Sequence, residues 1–364
     1  MSRRSPPPTE FLTKRSRALA HKGVGMRIII CLLGLVLATT AQAQEGVAKF
    51  YAGKTVRIIV GYPPGSTFDT YARALARHIG RHIPGAPSII VQNMPGAGGL
   101  TATTNVANVA APDGLTLAML NPVNTTEPLL NPSVAKFDPT KFGWIGSMNT
   151  EVGTCAFWGG KVASVEDLKT KPVSLGGTGP SAGSTLDAVA LQALLDFKFK
   201  MVLGYPGLLE VRLAAEKGEV DGFCGLLVSS LKVDVWDQFK AGKFKVLVQT
   251  GVTKHPDLPA DIPNVFDLAP NEEARQVMRL VFAPWAFGRP VMAPAGVPGD
   301  RLAALRSAFK ATLADEAFKA EATKTNLEIQ EKGPEEISQL LAAIYATPQP
   351  IVDRTRTMLG IDKR

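Results

Sequence analysis

Val56-Arg57-Ile58-Ile59-Val60 is a β-branched run that stops at Pro63-Pro64-Gly65. Beyond the stop the apolar period changes: Phe68, Ala72, Leu75, Ala76 and Ile79 fall on one face of a helix. Ser66 followed by Asp69 fits a capping box, so the helix is expected to begin there. The pattern predicts a strand, a tight glycine turn, and a helix whose first N–H groups point out of the turn. Such a terminus favours a carboxylate or phosphate. Gly65, Ser66, Thr67, Phe68 and Asp69 are therefore candidate ligand contacts, although Asp69 as a capping residue needs no ligand at all.

The alternation continues with a strand over residues 88–93, a Gly-rich loop over 94–99, a helix over 101–110 and a third strand over 115–120. β-α-β-α-β order implies parallel strands. The loop from Asn121 leaves the carboxyl end of a strand, the edge that carries ligands in open α/β sheets. After an apolar segment at 144–148 the design repeats. Strands are read at 154–158, 173–175, 201–203 and 220–224, with helices at 165–170, 184–197 and 208–217. A second turn, Gly176-Gly177-Thr178-Gly179-Pro180-Ser181, leads into the helix containing Ser184. Two similar units with facing turns predict a cleft between lobes. A helix over 272–282, a strand over 286–293 and helices over 300–313, 316–325 and 335–344 would return to the first unit. The expected division is lobe 1 from 44–148 and 272–364, and lobe 2 from 149–271. Two crossings, near 145–150 and 265–290, would form a hinge.

At 364 residues, 45% hydrophobic and 20% charged, the chain has the composition of a globular protein with room for two domains. Its net charge of +8 invites a nucleic-acid reading, but the charge is concentrated at one end. Residues 1–43 hold seven Lys or Arg against Glu10 alone, leaving 33 basic and 31 acidic residues over 44–364. Nucleic acid is therefore not expected as a partner. Met26-Arg27, an apolar run over 28–38 and Ala41-Gln42-Ala43 read as a signal peptide over residues 26–43. Either Met1 or Met26 could be the start. The mature chain is expected to be exported, soluble and periplasmic. It then keeps two cysteines, Cys155 and Cys224, which in an oxidising compartment read as a disulfide, or else as buried thiols in neighbouring strands.

Several motifs resemble, in order and spacing, one family. They are Val60-Gly61-Tyr62-Pro63-Pro64-Gly65…Asp69, Asn93-Met94-Pro95-Gly96-Ala97-Gly98-Gly99, Ala111-Pro112-Asp113-Gly114, Gly204-Tyr205-Pro206-Gly207, Gly218-Glu219-Val220-Asp221-Gly222, and Ala293-Pro294-Ala295-Gly296-Val297-Pro298. The chain resembles the Bug-type periplasmic solute-binding proteins of tripartite tricarboxylate transporters. The resemblance implies a two-lobed α/β fold of the type II binding-protein class (a Venus flytrap), each lobe a mainly parallel sheet flanked by helices. It further implies a monomer that holds a small organic carboxylate between its lobes and passes it to membrane permease subunits, with no enzyme activity, cofactor or metal. Carried over, residues 64–69 form one anion turn, and Thr178, Gly179, Ser181 and Ser184 belong to the other, with Asn121 and Tyr205 lining the cleft. Members commonly have Asn-Arg where Asn93-Met94 stands, and many have a basic residue where Pro206 follows Tyr205. Without that cation a highly charged ligand such as citrate is less favoured.

Rival chemistry is thinner. Gly179-Pro180-Ser181-Ala182-Gly183 matches the G-x-S-x-G elbow of a serine esterase, with His255 as the sole candidate base after it. A ligand-presenting sensor is a further alternative that sequence does not separate from uptake. His78 and His82, four apart on a helix, could share a metal, or could belong to a solvated face at a helix C-terminus. Asp221 is expected to order a strand end rather than touch ligand.

Overall fold

The computed structural model describes residues 44–180 and 182–363. The signal region read over 26–43 and the candidate Ser181 lie outside the described residues. A helix over residues 44–51 (α1) leads into β1 (Thr55–Val60), α2 (Thr67–Ile79), β2 (Ser88–Asn93), α3 (Leu100–Asn108) and β3 (Thr116–Met119). The short α4 (Glu127–Leu130) precedes β4 (Gly143–Ser147), and the chain then crosses to β5 (Gly153–Phe157). There follow α5 (Val165–Thr170), β6 (Val173–Gly177), α6 (Gly183–Leu195), β7 (Phe199–Leu203), α7 (Leu208–Glu216) and β8 (Gly222–Leu227). Then come α8 (Val228–Asp234), α9 (Trp236–Lys240) and β9 (Lys245–Thr250). The return runs through α10 (Glu272–Phe282) to β10 (Pro290–Ala293), then α11 (Gly299–Ala314), α12 (Glu316–Lys324), α13 (Pro334–Tyr345) and α14 (Gln349–Met358).

The strands make two five-stranded sheets, ordered β2–β1–β3–β10–β4 and β7–β6–β8–β5–β9. β1 pairs in parallel with β2 and β3, and β6 in parallel with β7 and β8. β10 and β5 run antiparallel to both their neighbours. Each sheet therefore has four strands in one direction and one against, with the reversed strand supplied by a crossing between sheets. β1 and β6 hold the same place, second from the edge. Two-lobed α/β architecture follows from this repeat, with helices covering both sheets.

Burial explains the local choices. On α2 the expected face is buried (Phe68, Ala72, Leu75 and Ile79), while β3, β4, β5 and β8 are buried throughout, as strands covered on both faces should be. The strand read over 220–224 begins two residues later, because Asp221 closes the preceding turn: its carboxylate accepts from the Ser174 N–H (2.7 Å) and hydroxyl (2.8 Å). Gly222 then starts β8 where a Cβ would overlap the Ala156 carbonyl on β5. α8, α9, β9 and α14 have no counterpart in the sequence reading.

Cys155 and Cys224 lie opposite each other on β5 and β8 and are disulfide-bonded. The two crossings touch. Met148 N–H donates to the Arg289 carbonyl (3.2 Å) and Glu151 N–H to that of Trp285 (3.1 Å). Gly288, at φ +64°, sits where a Cβ would overlap the Asn149 carbonyl oxygen. No helix among the described residues is long and apolar enough to cross a membrane.

Candidate functional site

The β1–α2 turn is held from beneath. The Ser66 hydroxyl accepts from the Asp69 N–H (3.3 Å), as the capping pattern predicts. Asp69 reaches back, but to the N–H of Gly65 (2.9 Å) rather than of Ser66, and Gly65 takes φ +82° to present it. The same carboxylate accepts from Arg73 (2.8 Å) and Asn93 (2.9 Å). Burial works against its ionisation, but the bonds from Arg73, Gly65 and Asn93 outweigh it and hold the carboxyl below its ordinary range. With both oxygens engaged inside the protein, Asp69 is a brace for the turn. The N–H groups of Thr67 and Phe68 head the helix, where no preceding turn accepts them. The Thr67 hydroxyl lies 3.5 Å from Asp234 at the end of α8, across the seam between lobes. Phe68 is buried and stacks on Tyr62, with ring centroids 4.7 Å apart.

Asn121 is also committed to the fold. Its amide donates to Tyr62 Oη (2.8 Å) and the Gly98 carbonyl (2.9 Å), while Oδ1 accepts from Val123 N–H (3.2 Å). It orients the wall that carries Phe68 and does not offer a free group. On the second lobe, Thr178 and Gly179 form the β6–α6 turn, where Gly179 C=O accepts from Ala182 N–H (3.1 Å). α6 starts at Gly183 without a side-chain cap. Ser184 is buried in its first turn beside Gly225 of β8. The Thr185 hydroxyl, next along, is buried with no partner among the described residues. Tyr205 packs at the base of this turn, its ring beside Gly176. Gly183 faces the Trp285 ring and Val123 of the first lobe, near enough that a Cβ there would come 2.7 Å from the indole. Trp285 Nε1–H donates to Asp187 of α6 (3.1 Å), which also accepts from Thr250 (3.2 Å). Burial pushes the Asp187 carboxyl up to about 8, against both hydrogen bonds.

The seam holds a cation that the sequence reading missed. Arg289 is fully buried between α2 of one lobe and the start of α8 of the other. Its Nη2 donates to Ser229 Oγ (2.8 Å) and lies 3.4 Å from Glu151 Oε1. The guanidinium stacks on Phe68 at 4.0 Å and Tyr71 at 5.2 Å. Nothing in its local pattern, Gly-Arg-Pro between an irregular segment and a strand, marks it as special. The only available signal is an arginine set among apolar residues.

A second polar seam lies at the far end of α8. His255 Nδ1 accepts from Asp257 N–H and Nε2 lies 3.1 Å from Glu328, while Lys232 pairs with both Asp257 and Glu328. His255, Asp257 and Glu328 are close enough to share an ion, but the Lys232 ammonium already serves their carboxylates. Both ring nitrogens of His255, the base an esterase would need, are taken up there. His78 and His82 do not converge either. His78 lies 2.8 Å from Glu321, and His82 3.1 Å from Asp315, so this helix face packs on α12 instead of standing in solvent.

No protein-family model matches the chain. It is 36% identical over 96 residues to protein BugT of Bordetella pertussis, a match covering 26% of this chain and 28% of that one. The chain thus spans little more than a quarter of that relative. A UPF0065 protein of Agrobacterium vitis is 27% identical over 252 residues, or 65% of this chain and 67% of its own. Among solved structures, the periplasmic binding protein BugD superposes with TM-score 0.64 at 22% identity, covering 85% of this chain and 98% of BugD. MatC of Rhodopseudomonas palustris, with bound malate, gives 0.62 at 22% identity over 84% and 99%. An adipate-bound R. palustris protein gives 0.63 at 19% over 84% and 97%. The chain is thus similar in sequence to Bug and UPF0065 proteins and shares the two-lobed fold of the periplasmic binding proteins it superposes on.

Proposed function

We propose that the protein is an exported solute-binding protein, not an enzyme, that captures a small organic carboxylate between its lobes for delivery to a tripartite tricarboxylate-type permease. One observation carries the reading: the β1–α2 and β6–α6 turns leave equivalent strands of two equally ordered sheets. Residues 44–148 and 272–364 form the first lobe in this reading, and 149–271 the second. The N–H groups heading α2 and α6 receive the carboxylate, those of Thr67 and Phe68 on one side, where Gly65 and Ser66 shape the turn with their own N–H groups bonded to Asp69 and Pro63, and Thr178, Gly179, Ser181 and Ser184 on the other. Phe68 and Tyr205 wall the cleft. Asp69 and Asn121 act from behind, by fixing the first turn. The malate and adipate held by the two R. palustris proteins support the carboxylate class. The description of BugD as a periplasmic binding protein supports periplasmic placement.

A thermal-shift screen of mono-, di- and tricarboxylates tests the reading, because a ligand of the native state raises the melting temperature by mass action. A saturable shift with one class of acid is expected. A flat response across all three classes refutes it.

A further inference from the structure

We propose that the Asp187 carboxyl is a proton-operated pin in the hinge: protonated, it holds α6 against the second crossing, and ionised, it releases the lobes to open. The inference needs the two-lobed, hinged reading above but no particular solute. Asp187 stands on α6, one turn beyond Gly183, and is 1% exposed. Three segments meet on it. Trp285, from the crossing between α10 and β10, donates through Nε1 (3.1 Å), and Thr250, at the end of β9, through its hydroxyl (3.2 Å). Gly153, where the first crossing enters β5, closes the third side: a Cβ there would overlap Thr250 Oγ1 and come 3.4 Å from the Asp187 carboxyl. Leu186 and Leu191 of α6 join Val277, Val281 and Trp285 in one apolar cluster, so the surroundings are dry.

A buried carboxyl with no cation beside it stays neutral, since ionising it away from water is costly. The charged groups on the elements packed around α6 are engaged elsewhere. Glu151 of the first crossing is bonded to Ser229 and paired with Arg289. Glu272 pairs with Arg275 and Arg279, Glu273 with Arg354, and Arg356 with Asp362, while Asp353 accepts from Gln349. Beyond β9, Lys254 faces Asp267 and His255 faces Glu328, and Lys200 on β7 and Lys245 on β9 are exposed. Burial and the bonds from Trp285 and Thr250 are what set the ionisation of Asp187, with burial dominating. Once ionised, the carboxylate gains most from water, and water reaches it along the face where Gly183 meets Val123 and the Trp285 ring. Parting α6 from Trp285 along that face opens the lobes, so proton loss and opening are linked. The closed arrangement holds the carboxyl up at about 8 and the open one returns it toward its ordinary value, so opening is favoured as pH rises.

Small-angle X-ray scattering of the purified chain without solute, from about pH 5 to about pH 9.5, tests this on wild type and on Asp187→Asn. The radius of gyration of wild type, roughly 20 Å for a compact chain of this length, should rise with pH. The rise should level off above about 8, while far-ultraviolet circular dichroism stays constant. Below that value the opening equilibrium should climb by up to about 10-fold per pH unit. Asp187→Asn keeps the shape of the protonated acid and should hold the low-pH radius across the whole range. A flat radius in wild type overturns the proposal, whether or not the variant folds. So does a folded variant that expands as wild type does, or an expansion that carries loss of the helix signal. None of these results bears on whether a carboxylate binds, which the thermal-shift screen reads by itself.

Discussion

Replacing Gly288 by alanine tests the contact between the two crossings. Gly288 has φ +64° and ψ −117°, a region that a residue with a Cβ enters at a cost of about 1–3 kcal/mol. The added Cβ would overlap the Asn149 carbonyl oxygen, so the crossings must separate. Two hydrogen bonds tie them on either side, Met148 N–H to Arg289 O (3.2 Å) and Glu151 N–H to Trp285 O (3.1 Å), each contributing about 1 kcal/mol. Together these give a loss of about 3–5 kcal/mol, which for a chain of this size lowers the melting temperature by roughly 5 °C. Urea denaturation with intrinsic tryptophan fluorescence gives the free energy, and calorimetry the melting temperature. A loss under about 1 kcal/mol would refute the crowding argument, since the conformational cost alone reaches that figure.

Other perturbations separate brace from site. Asp69→Ala should cost about 2–4 kcal/mol, because the Gly65 N–H and the Asn93 amide lose their acceptor, while the half-exposed Arg73 adds little. The Asp69 carboxyl is held low in the fold, so its contribution is present at neutral pH and fades as pH falls below about 4; the stability curves of variant and wild type should converge there. Asp187 has the opposite sign. Its carboxyl is raised from 3.8 to about 8, so the folded state keeps a proton that the unfolded chain releases, and stability falls as pH rises across that window. Asp187→Asn should flatten that fall, which has a limiting slope of about 1.4 kcal/mol per pH unit; parallel curves would contradict it. The Cys155→Ala/Cys224→Ala variant should lose roughly 4 kcal/mol from reopening the 69-residue separation, and denaturation curves identical to wild type would refute that.

Local rules made much of the fold readable. The period change between Ile59 and Phe68, with Ser66 and Asp69 between them, marked a strand, a turn and a helix start, and the structure has all three. An even cysteine pair indicated a bond, although only the β5–β8 register shows why Cys155 can meet Cys224. What local pattern could not show is where a side chain acts across the fold. Asn121, expected to line the cleft, also gives its amide to Tyr62 and Gly98, partners 59 and 23 residues away. His78 read as a solvated helix end, yet α12, more than 230 residues later, packs over it. Arg289 was invisible because its meaning lies in what surrounds it. Phe68, Tyr71, Glu151 and Ser229 are brought together only by the crossing of two lobes.

The central claim is that one small acid is held by both turns at once. A crystal structure with the acid that most raises the melting temperature tests it directly. Carboxylate oxygens should lie within about 3 Å of N–H groups at the heads of both α2 and α6. An acid bound elsewhere, or touching one turn alone in a fully occupied and closed molecule, would contradict it.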